Sequence, residues 1–293
     1  MLRFLVNLTP MAALKPSRFL SQSSVALKSG RRVLQPDYPL KTHPGKTVSI
    51  EIAEYSDFDA IDKLTLEHFA PLENSSRGVG TPVEVVQEQL VRPMVHNCLQ
   101  YPYSTVVMDG DRMIACCMVN LEVFDKNADV PPKEVKDLGP FMEKCAADYG
   151  VTDERLKYMM TLLHYAIHIV PHYLPEENQA VAAHAEMGCV DQEFNGNGLL
   201  GAMMYLSCTA VHKHRLAKYY FGNASAAATN NVCTQLGMPP VWSVKYKDIK
   251  FNEESVYGDG KMRDGADCFT LSLGLIEDVV KSNYCDKYIR QSV

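Results

Sequence analysis

The sequence lacks any apolar run close to the roughly 20 residues that a membrane-spanning helix needs. It also lacks a strong excess of charge, because the formal net charge is −6 over 293 residues. A mildly acidic balance argues against nucleic acid as a partner and favours small neutral or cationic substrates. With 46% hydrophobic and 22% charged residues, the composition is that of a globular protein with one large domain or two small ones. We therefore expect neither a membrane nor a nucleic-acid partner.

Paired cysteine spacing of the zinc-binding type is also missing. The nine cysteines are scattered, apart from the adjacent Cys116 and Cys117, which favours buried free thiols in a reducing compartment. His164, His168 and His172 recur every four residues, but no carboxylate or cysteine joins them in helical register. The sequence therefore predicts no metal site. The histidines are better explained as a solvated, hydrogen-bonded helix face or as a wall of a substrate pocket.

Acidic residues are absent from the first 36 positions, since the first one is Asp37. The same stretch carries six Lys or Arg residues and several serines interspersed with Phe and Leu. A basic, acid-free, amphipathic start is typical of a mitochondrial presequence, whereas a secretory signal would have a continuous apolar core. We expect residues 1–36 to direct mitochondrial import; a disordered extension of a cytoplasmic protein is the alternative. The folded domain is expected over residues 47–280, followed by a tail at 281–293.

The most informative segment, residues 186–204, has the pattern of a strand, a tight glycine loop and the start of a helix. Gly196 and Gly198 can take backbone angles that are closed to other residues. The residues from Leu199 onward are apolar at helical spacing. A glycine loop that opens a helix directs unbonded N–H groups toward one point, which suits a pyrophosphate. Taken alone, the pattern also fits an ordinary strand–turn–helix connection.

The residues after this segment favour the pyrophosphate reading. A short strand at Tyr219, a helix that ends in Leu236-Gly237-Met238 and a strand at Val241 follow in that order. This order resembles the core of the GCN5-related N-acetyltransferases (GNAT family), in which a Val-x-x-x-x-Arg-Gly-x-Gly run holds the pyrophosphate of acetyl-CoA. The matching positions here are Val190, Gly196 and Gly198. Within the family, residues 69–74 and 242–246 look closest to the arylalkylamine N-acetyltransferase-like branch of invertebrates.

The resemblance implies a fold and an activity. The expected fold is α/β, a mixed, twisted, mostly antiparallel sheet with helices on both faces and two parallel strands that splay beside the cofactor loop. The implied activity is acetyl transfer from acetyl-CoA to a small primary amine by direct attack, in a monomer or homodimer. The residues expected to bind the cofactor are Gly188, Cys189, Val190, Asn195, Gly196, Asn197, Gly198, Leu199, Leu200 and Gly201.

Direct attack requires a base, because an amine is protonated at neutral pH. Glu186 lies four residues before Val190, and strand alternation places Glu186, Gly188 and Val190 on one face. The resemblance implies that a carboxylate on this strand acts as the base. Glu73 is the alternative, because Ala70 stands where the invertebrate branch has its catalytic Glu.

The thioester carbonyl and the leaving sulfur need hydrogen-bond donors. Ser225 and Thr229 are four residues apart and therefore share a helix face, and the resemblance places such hydroxyls near the thioester. Alternatively, Ser225 caps the helix and Thr229 bonds back to its own helix. Cys233 replaces a family Tyr that acts as the acid, and Asn195 replaces the loop Arg, which predicts somewhat weaker cofactor binding.

These departures leave two other functions open. One is a non-catalytic acyl-CoA-binding protein of the same fold. The other is a mitochondrial N-acyltransferase that uses another acyl donor or an amino-acid acceptor.

Overall fold

The computed structural model describes residues 31–176, 178–260, 262–282, 284 and 289. Its strands are β1 (Val33–Pro39), β2 (Thr47–Ile52), β3 (Thr105–Asp109), β4 (Arg112–Asp125), β5 (Gln179–Val190), β6 (Tyr219–Ala224), β7 (Pro240–Lys245), β8 (Lys250–Phe251), β9 (Glu254–Ser255) and β10 (Cys268–Leu275). Arg32–Val293 forms one compact unit. Residues 1–30 of the expected import signal are outside the described residues, and so is most of the expected tail. Both stay predictions.

The helices connect the strands along the chain and pack on both faces of the sheet. They are α1 (Phe58–His68), α2 (Asn74–Gly78), α3 (Val83–Val86), α4 (Arg92–Cys98), α5 (Gly139–Tyr149), α6 (Glu154–His168), α7 (Leu199–His214), α8 (Ala227–Gln235) and α9 (Ile276–Lys281). A π turn at Gln87–Val91 joins α3 to α4, because Pro93 has no N–H to bond the carbonyl four residues back. In the described part of the chain, no helix has the length and apolar character that crossing a bilayer requires.

Eight strands form one sheet in the order β1-β2-β3-β4-β5-β6-β10-β7. Every neighbouring pair is antiparallel except β5 and β6, which run parallel from Ala182–Tyr219 to Ala185–Gly222. Beyond that point β5 stays on β4 as far as Val190, and β6 stays on β10. The two parallel strands therefore separate and leave a gap in the sheet. The predicted fold class is confirmed, and the strands splay as the resemblance implies.

A β-bulge interrupts β5 where the strands separate. Met118 and Val119 of β4 pair with Met187 and Ala185, so Glu186 is an extra residue without a partner on β4. A bulge shifts the alternation of side chains by one position. The prediction that Glu186 shares a face with Gly188 and Val190 is therefore wrong.

The contacts show the consequence of the bulge. A Cβ on Gly188 would collide with the side chain of Leu200 on α7, and Val190 packs in the core beneath α7. Glu186 instead lies beside His184, on the opposite face of the sheet. The extra residue thus turns the Glu186 carboxylate away from α7 and toward the side of the sheet where α6 packs.

The first strand begins earlier than the sequence predicts. β1 starts at Val33 and pairs with β2 from Val33–Glu51 to Pro39–Thr47. Residues 33–36, assigned to the N-terminal extension, therefore belong to the sheet. Pro36 and two register shifts hide the strand pattern, and an edge strand tolerates proline because one side needs no ladder bonds. β10 is also absent from the sequence prediction.

Hydrophobic side chains fill the space on both faces of the sheet. Helix α7 packs on one face, against residues such as Ile50, Ile114 and Ala183. Helices α1, α4 and α6 pack on the other face, where Met118, Met187 and Leu156 meet. Burial of each large side chain contributes about 1.5–3 kcal/mol to the stability of the fold. The packing of the two layers keeps β5 and β6 in position on either side of the gap.

Candidate active site

The gap between β5 and β6 opens into a cleft of about 710 Å³ that is open to solvent. The four predicted catalytic residues line it together: Glu73, Glu186, Ser225 and Thr229. Gly188 and Leu200, from the predicted cofactor set, line it as well. Among the lining residues of the described chain there are two carboxylates and no Lys or Arg. The charge of the cleft therefore favours a cationic ligand.

The glycine loop precedes α7 and carries no side-chain cap. Gly196 has φ of 83° and Gly198 has φ of 73°, both in the left-handed region that favours glycine. Gly198 occupies the N-cap position, and no side chain bonds the first turn of α7. The backbone N–H groups of residues 196–201 find no acceptor within the described part of the chain. Unbonded N–H groups at the start of a helix, together with the helix dipole, favour an anion at this position.

The side chain of Asn197 is a structural part of this loop, so only its backbone N–H is available for the predicted contact with the cofactor. Its side chain is fully buried, and its Nδ2 donates to Thr42 Oγ1 and to the Phe194 carbonyl, both at 2.8 Å. Its Oδ1 accepts from the Thr42 N–H at 2.9 Å, and its carbonyl accepts from the Tyr38 hydroxyl at 2.9 Å. The side chain therefore fastens the loop to the turn between β1 and β2.

Other members of the predicted cofactor set face the core. Cys189 is buried with Sγ 3.8 Å from the Leu64 carbonyl, on the α1 side of the sheet. Leu199, the first residue of α7, is buried in the core. A Cβ on Gly201 would collide with the hydroxyl of Tyr284. The side chains at 189, 190, 197 and 199 thus serve packing. Asn195 and Gly196 are exposed, and Gly198 and Leu200 are half-buried.

A buried carboxylate–imidazole cluster stands behind Glu186. His184 Nδ1 lies 3.2 Å from Glu186 Oε1, and the exposure of the two side chains is 2% and 20%. Glu122, on β4, joins them, and one ligand atom from each of the three residues lies within 4.8 Å of the others. Asn120 Nδ2 donates to Glu122 Oε1 at 3.1 Å. We call Glu122, His184 and Glu186 the acid–base cluster.

The members of the acid–base cluster shift each other's pKa. Burial raises the pKa of Glu122 from 4.5 to about 7, and the charge of Glu186 adds to the rise. Burial opposes ionisation of Glu186, but the charge of His184 and its hydrogen bond hold the pKa of Glu186 below its usual value. Burial likewise opposes protonation of His184, yet the Glu186 charge raises its pKa. The shifts therefore favour the charged forms of His184 and Glu186 and the protonated form of Glu122.

The same three residues could also hold a divalent cation, because two carboxylates and one imidazole at this spacing form a reasonable ligand set. The sequence analysis, which weighed only the cysteines and the histidines of residues 164–172, missed this cluster, because Glu122 lies far from the other two residues along the chain. His184 stands two residues before Glu186, and the strand pattern could have indicated it. Glu122 becomes a neighbour only through the pairing of β4 with β5.

Glu73, the alternative base, is occupied as a helix cap. Its exposed fraction is 6%, and its two carboxylate oxygens accept from the N–H groups of Ser75 and Ser76 at 3.0 and 2.6 Å. These bonds satisfy the first turn of α2. Both carboxylate oxygens of Glu73 are therefore already engaged by backbone donors. The geometry therefore favours the acid–base cluster over Glu73.

Ser225 and Thr229 direct unbonded hydroxyls toward the cleft. The N-cap of α8 is Ala226, so the capping role considered for Ser225 is wrong. Within the described residues, neither hydroxyl makes a hydrogen bond, and Thr229 does not bond back to its helix. The Ser225 carbonyl accepts from Asn74 Nδ2 at 2.9 Å and from the Tyr246 hydroxyl at 3.0 Å. These bonds fix the backbone that carries the Ser225 hydroxyl.

Cys233 also lines the cleft, at the position of the missing family Tyr. Burial raises the pKa of its thiol to about 12. The thiol therefore stays protonated at neutral pH and is a poor proton donor to a leaving thiolate.

The histidines of α6 line a second cavity with Phe141, Lys144 and Cys145 of α5. The rings of His164 and His168 lie 3.8 Å apart between centroids. Burial lowers the pKa of His164 to about 3, and the neighbouring His168 and Lys144 lower it further. His168 Nδ1 bonds the His164 carbonyl at 2.9 Å. The two rings therefore favour the neutral form; His164 is half-buried, whereas His168 is exposed and hydrogen-bonded to its own helix. This arrangement agrees with either expectation, a hydrogen-bonded face or the wall of a pocket.

Comparisons with known proteins identify the fold. No protein-family model matches the sequence, and no curated protein matches it as a relative. Among solved structures, arylalkylamine N-acetyltransferase 2 from Aedes aegypti is similar, with a TM-score of 0.62 at 16% identity over 79% of this chain and 100% of that one. This chain has the GNAT, or acyl-CoA N-acyltransferase, fold. The resemblance inferred from the sequence is confirmed at the level of the fold.

Two further structures support this assignment. The Drosophila melanogaster polyamine N-acetyltransferase, described as forming N-acetylagmatine, matches with a TM-score of 0.57 and 12% identity over 78% of this chain and 99% of that one. A putative arylalkylamine N-acetyltransferase 7 from the yellow fever mosquito matches with a TM-score of 0.59 and 10% identity, over 84% and 95%. At these identities the likeness establishes the fold and leaves the substrate open.

Replacing the Asn197 side chain should destabilise the loop. Asn197→Ala removes the partner of the Thr42 N–H and of the buried Phe194 carbonyl, so we expect a loss of about 2–3 kcal/mol in the free energy of unfolding. The matched control is Asn195→Ala, an exposed residue in the same loop, for which we expect a change below about 0.5 kcal/mol. Urea unfolding measures both. Equal effects would contradict the assigned role of Asn197.

The raised pKa of Glu122 makes a prediction for stability. As pH rises from 4.5 to about 7, the carboxyl ionises in the unfolded chain but stays protonated in the folded one, so the wild type loses stability over this window. Glu122→Gln removes the titration and keeps an acceptor for Asn120. Its free energy of unfolding relative to the wild type should therefore increase from pH 5 to pH 8. Urea unfolding at both values tests this, and a difference that stays constant or falls would refute the shifted pKa.

Proposed function

We propose that the protein is an N-acetyltransferase that moves the acetyl group of acetyl-CoA to a small primary amine. The observation that carries the proposal is a cleft at the point where two parallel strands separate. It is lined by Glu186 of the carboxylate cluster and by Leu200, in the first turn of the helix that the uncapped glycine loop opens. The GNAT fold supports it, as do structural neighbours named as arylalkylamine and polyamine N-acetyltransferases. Arylalkylamines and biogenic amines are the acceptors that we would test first.

The cofactor would enter along the glycine loop. The N–H groups of residues 196–201 would hold the pyrophosphate, because they are the unbonded donors at the start of α7. Gly196 and Gly198 supply the backbone angles for this arrangement. Leu200 and Gly188 shape the passage toward the cleft. A thioester positioned this way would lie in the gap between β5 and β6.

The acid–base cluster would take the proton of the acceptor ammonium. Glu186 is the member of the cluster that lines the cleft, so it would contact the ammonium. Because its own pKa is lowered, Glu186 alone is a weak base. Glu122, whose pKa lies at about 7, can store the proton at neutral pH, and the charge of His184 acts on both carboxylates. The free amine can then attack the thioester.

The hydroxyls of Ser225 and Thr229 would assist the departure of the thiolate. In the attack, the nitrogen–carbon bond forms and the carbon–sulfur bond breaks, with its electron pair on sulfur. Both hydroxyls face the cleft without a partner in the described chain, and one such donor typically contributes a factor of about 10²–10³ to the rate. Cys233 is too weak an acid to replace them at neutral pH.

A non-catalytic acyl-CoA-binding protein is the rival function. The buried Ala70 and Cys233 stand where the resemblance expects a base and an acid, and this motivates the rival. Thiol release from acetyl-CoA with a panel of arylalkylamines and polyamines separates the two. Acetyl-CoA binding without turnover on any amine would favour the rival. Faster turnover with a longer acyl-CoA or an amino-acid acceptor would keep catalysis and change the substrates.

Blocking the glycine loop should abolish cofactor binding. In Gly198→Trp, a bulky side chain would fill the space in front of the unbonded N–H groups, and we expect loss of acetyl-CoA binding by calorimetry. The matched control is Gly45→Trp, because Gly45 also has a left-handed φ, of 83°, but nothing lies within 4 Å of its Cβ position. Normal acetyl-CoA binding by Gly198→Trp would show that the site is elsewhere.

The assignment of the base is tested by two isosteric variants. Glu186→Gln should lower kcat/KM for the amine by about 10²–10⁴-fold, because the cluster loses its contact with the ammonium. Glu73→Gln should lower kcat/KM by less than about 5-fold, because Glu73 acts as a helix cap. We expect this variant to lose about 1 kcal/mol of stability instead. Steady-state kinetics and urea unfolding of both variants decide. A larger kinetic loss in Glu73→Gln would move the base to the loop before α2.

A further inference from the structure

Asn223 lies opposite Glu186 across the gap in the sheet. His184 and Phe221 are register partners on β5 and β6, and their rings stack with centroids 4.2 Å apart and an interplanar angle of 4°. Two residues further along each strand stand Glu186 and Asn223, after the pairing of the strands has ended. Both line the cleft. They therefore stand on the two strands that border the gap.

The Asn223 carboxamide has no partner for either of its polar atoms. Nδ2 and Oδ1 are both buried, and neither makes a hydrogen bond within the described chain. Of the described residues that line the cleft, only Asn223 has side-chain polar atoms that are buried and make no hydrogen bond. An unbonded buried amide destabilises a protein, and such exceptions in a folded structure call for an explanation.

The surroundings of Asn223 offer no structural reason for a polar side chain. Its register partner on β10 is Leu271, and Phe221 and Phe269 are the neighbouring aromatic residues on this side. All three belong to one apolar cluster or line the cleft beside it. The ladder bonds of β6 come from its backbone, so they need no amide at position 223. A leucine of similar size would satisfy this packing.

A carboxamide supplies one donor group and one acceptor, which match the two polar groups that react in the cleft. We propose that Asn223 binds both reacting groups, with Oδ1 accepting a hydrogen bond from the acceptor amine and Nδ2 donating one to the acyl oxygen. Asn223 is then a catalytic residue opposite Glu186. This role rests on the proposed acetyltransferase function.

In the reaction, Asn223 neither gains nor loses a proton. The ammonium first gives one proton to Glu186. The amine nitrogen then forms a bond to the acyl carbon, the carbon–sulfur bond breaks with its electron pair on sulfur, and the second proton, which the nitrogen loses as the amide forms, goes to the CoA thiolate. Negative charge develops on the acyl oxygen during the attack, so the hydrogen bond from Nδ2 strengthens in the transition state. The same donor and acceptor fit the amide of the product.

The test is Asn223→Leu, which removes both polar atoms at nearly constant volume. We expect kcat/KM for the amine to fall about 100-fold or more, while the Kd for acetyl-CoA changes less than about 3-fold. The melting temperature of the unliganded variant should rise, because the unbonded amide is gone. The matched control is Asn230→Leu, since Asn230 also has a buried, unbonded Oδ1 but does not line the cleft. It should leave kcat/KM unchanged.

A second variant decides the outcome if Asn223→Leu does not fold. Asn223→Asp keeps the acceptor, loses the donor and adds a carboxylate opposite Glu186. It should lower kcat and move the acidic limb of the pH–rate profile to higher pH, because a second negative charge raises the proton affinity of Glu186. An unshifted profile with normal kcat would overturn the proposal.

Other outcomes of Asn223→Leu are equally decisive. Unchanged kcat/KM, or a lower melting temperature with an activity loss that matches the fraction unfolded, would make Asn223 a structural residue. If one of these two outcomes is found and the wild type binds acetyl-CoA and acetylates amines, only the catalytic role of Asn223 fails. If the wild type binds no CoA thioester at all, the proposed function fails with it.

Discussion

The separation of β5 from β6 is the constraint on which the rest of the structure depends. Parallel strands in a sheet normally bond along their shared length, but here the pairing stops at Ala185 and Gly222. Each strand keeps its outer partner, β4 or β10, so the sheet stays intact while the gap opens. The backbone groups and side chains that face the gap are left available to a ligand. The cleft and the loop at the start of α7 both follow from this one local failure of pairing.

The bulge at Glu186 decides what faces the gap. One additional residue in β5 places the carboxylate on the same side as His184 and Glu122, away from α7. Buried charges in such a cluster stabilise each other only as a set, and each one costs free energy when it is unmatched. Glu122 with its raised pKa and Asn223 with its unbonded amide are both unfavourable for the unliganded fold. Such costs tend to concentrate where a protein binds or reacts.

The N-terminal strand contributes to the loop that we propose for the cofactor. Asn197 ties that loop to Thr42 and Tyr38, on the β1–β2 turn and on β1. His43 also stacks on Phe194, with ring centroids 5.1 Å apart. The loop is therefore held by its own side chains before any ligand arrives, so a ligand would meet N–H groups that already have their orientation. Pre-ordering of this kind lowers the entropy lost on binding.

The sequence by itself determined the features that depend on local spacing. Gly196 and Gly198 fit a left-handed loop because no side chain opposes those angles. The order of strands and helices from β5 to β7 indicated the fold class through its resemblance to the GNAT family. Ser225 and Thr229 both line the cleft, but Ser225 precedes the N-cap of α8, so the predicted shared helix face is wrong.

Tertiary structure alone decided which side chains meet. The bulge that turns Glu186 is set by the register of β4 against β5, and the nearness of Glu122 depends on the same pairing. The side chain of Asn197 holds the loop to β1 and its turn, which pack beside the loop from a distant part of the chain, and this role has no local pattern in the sequence. Glu73 became a helix cap through the short helix that follows it. Periodicity gives the direction of a side chain within one element, but its neighbours come from long-range register and packing, which no local pattern encodes.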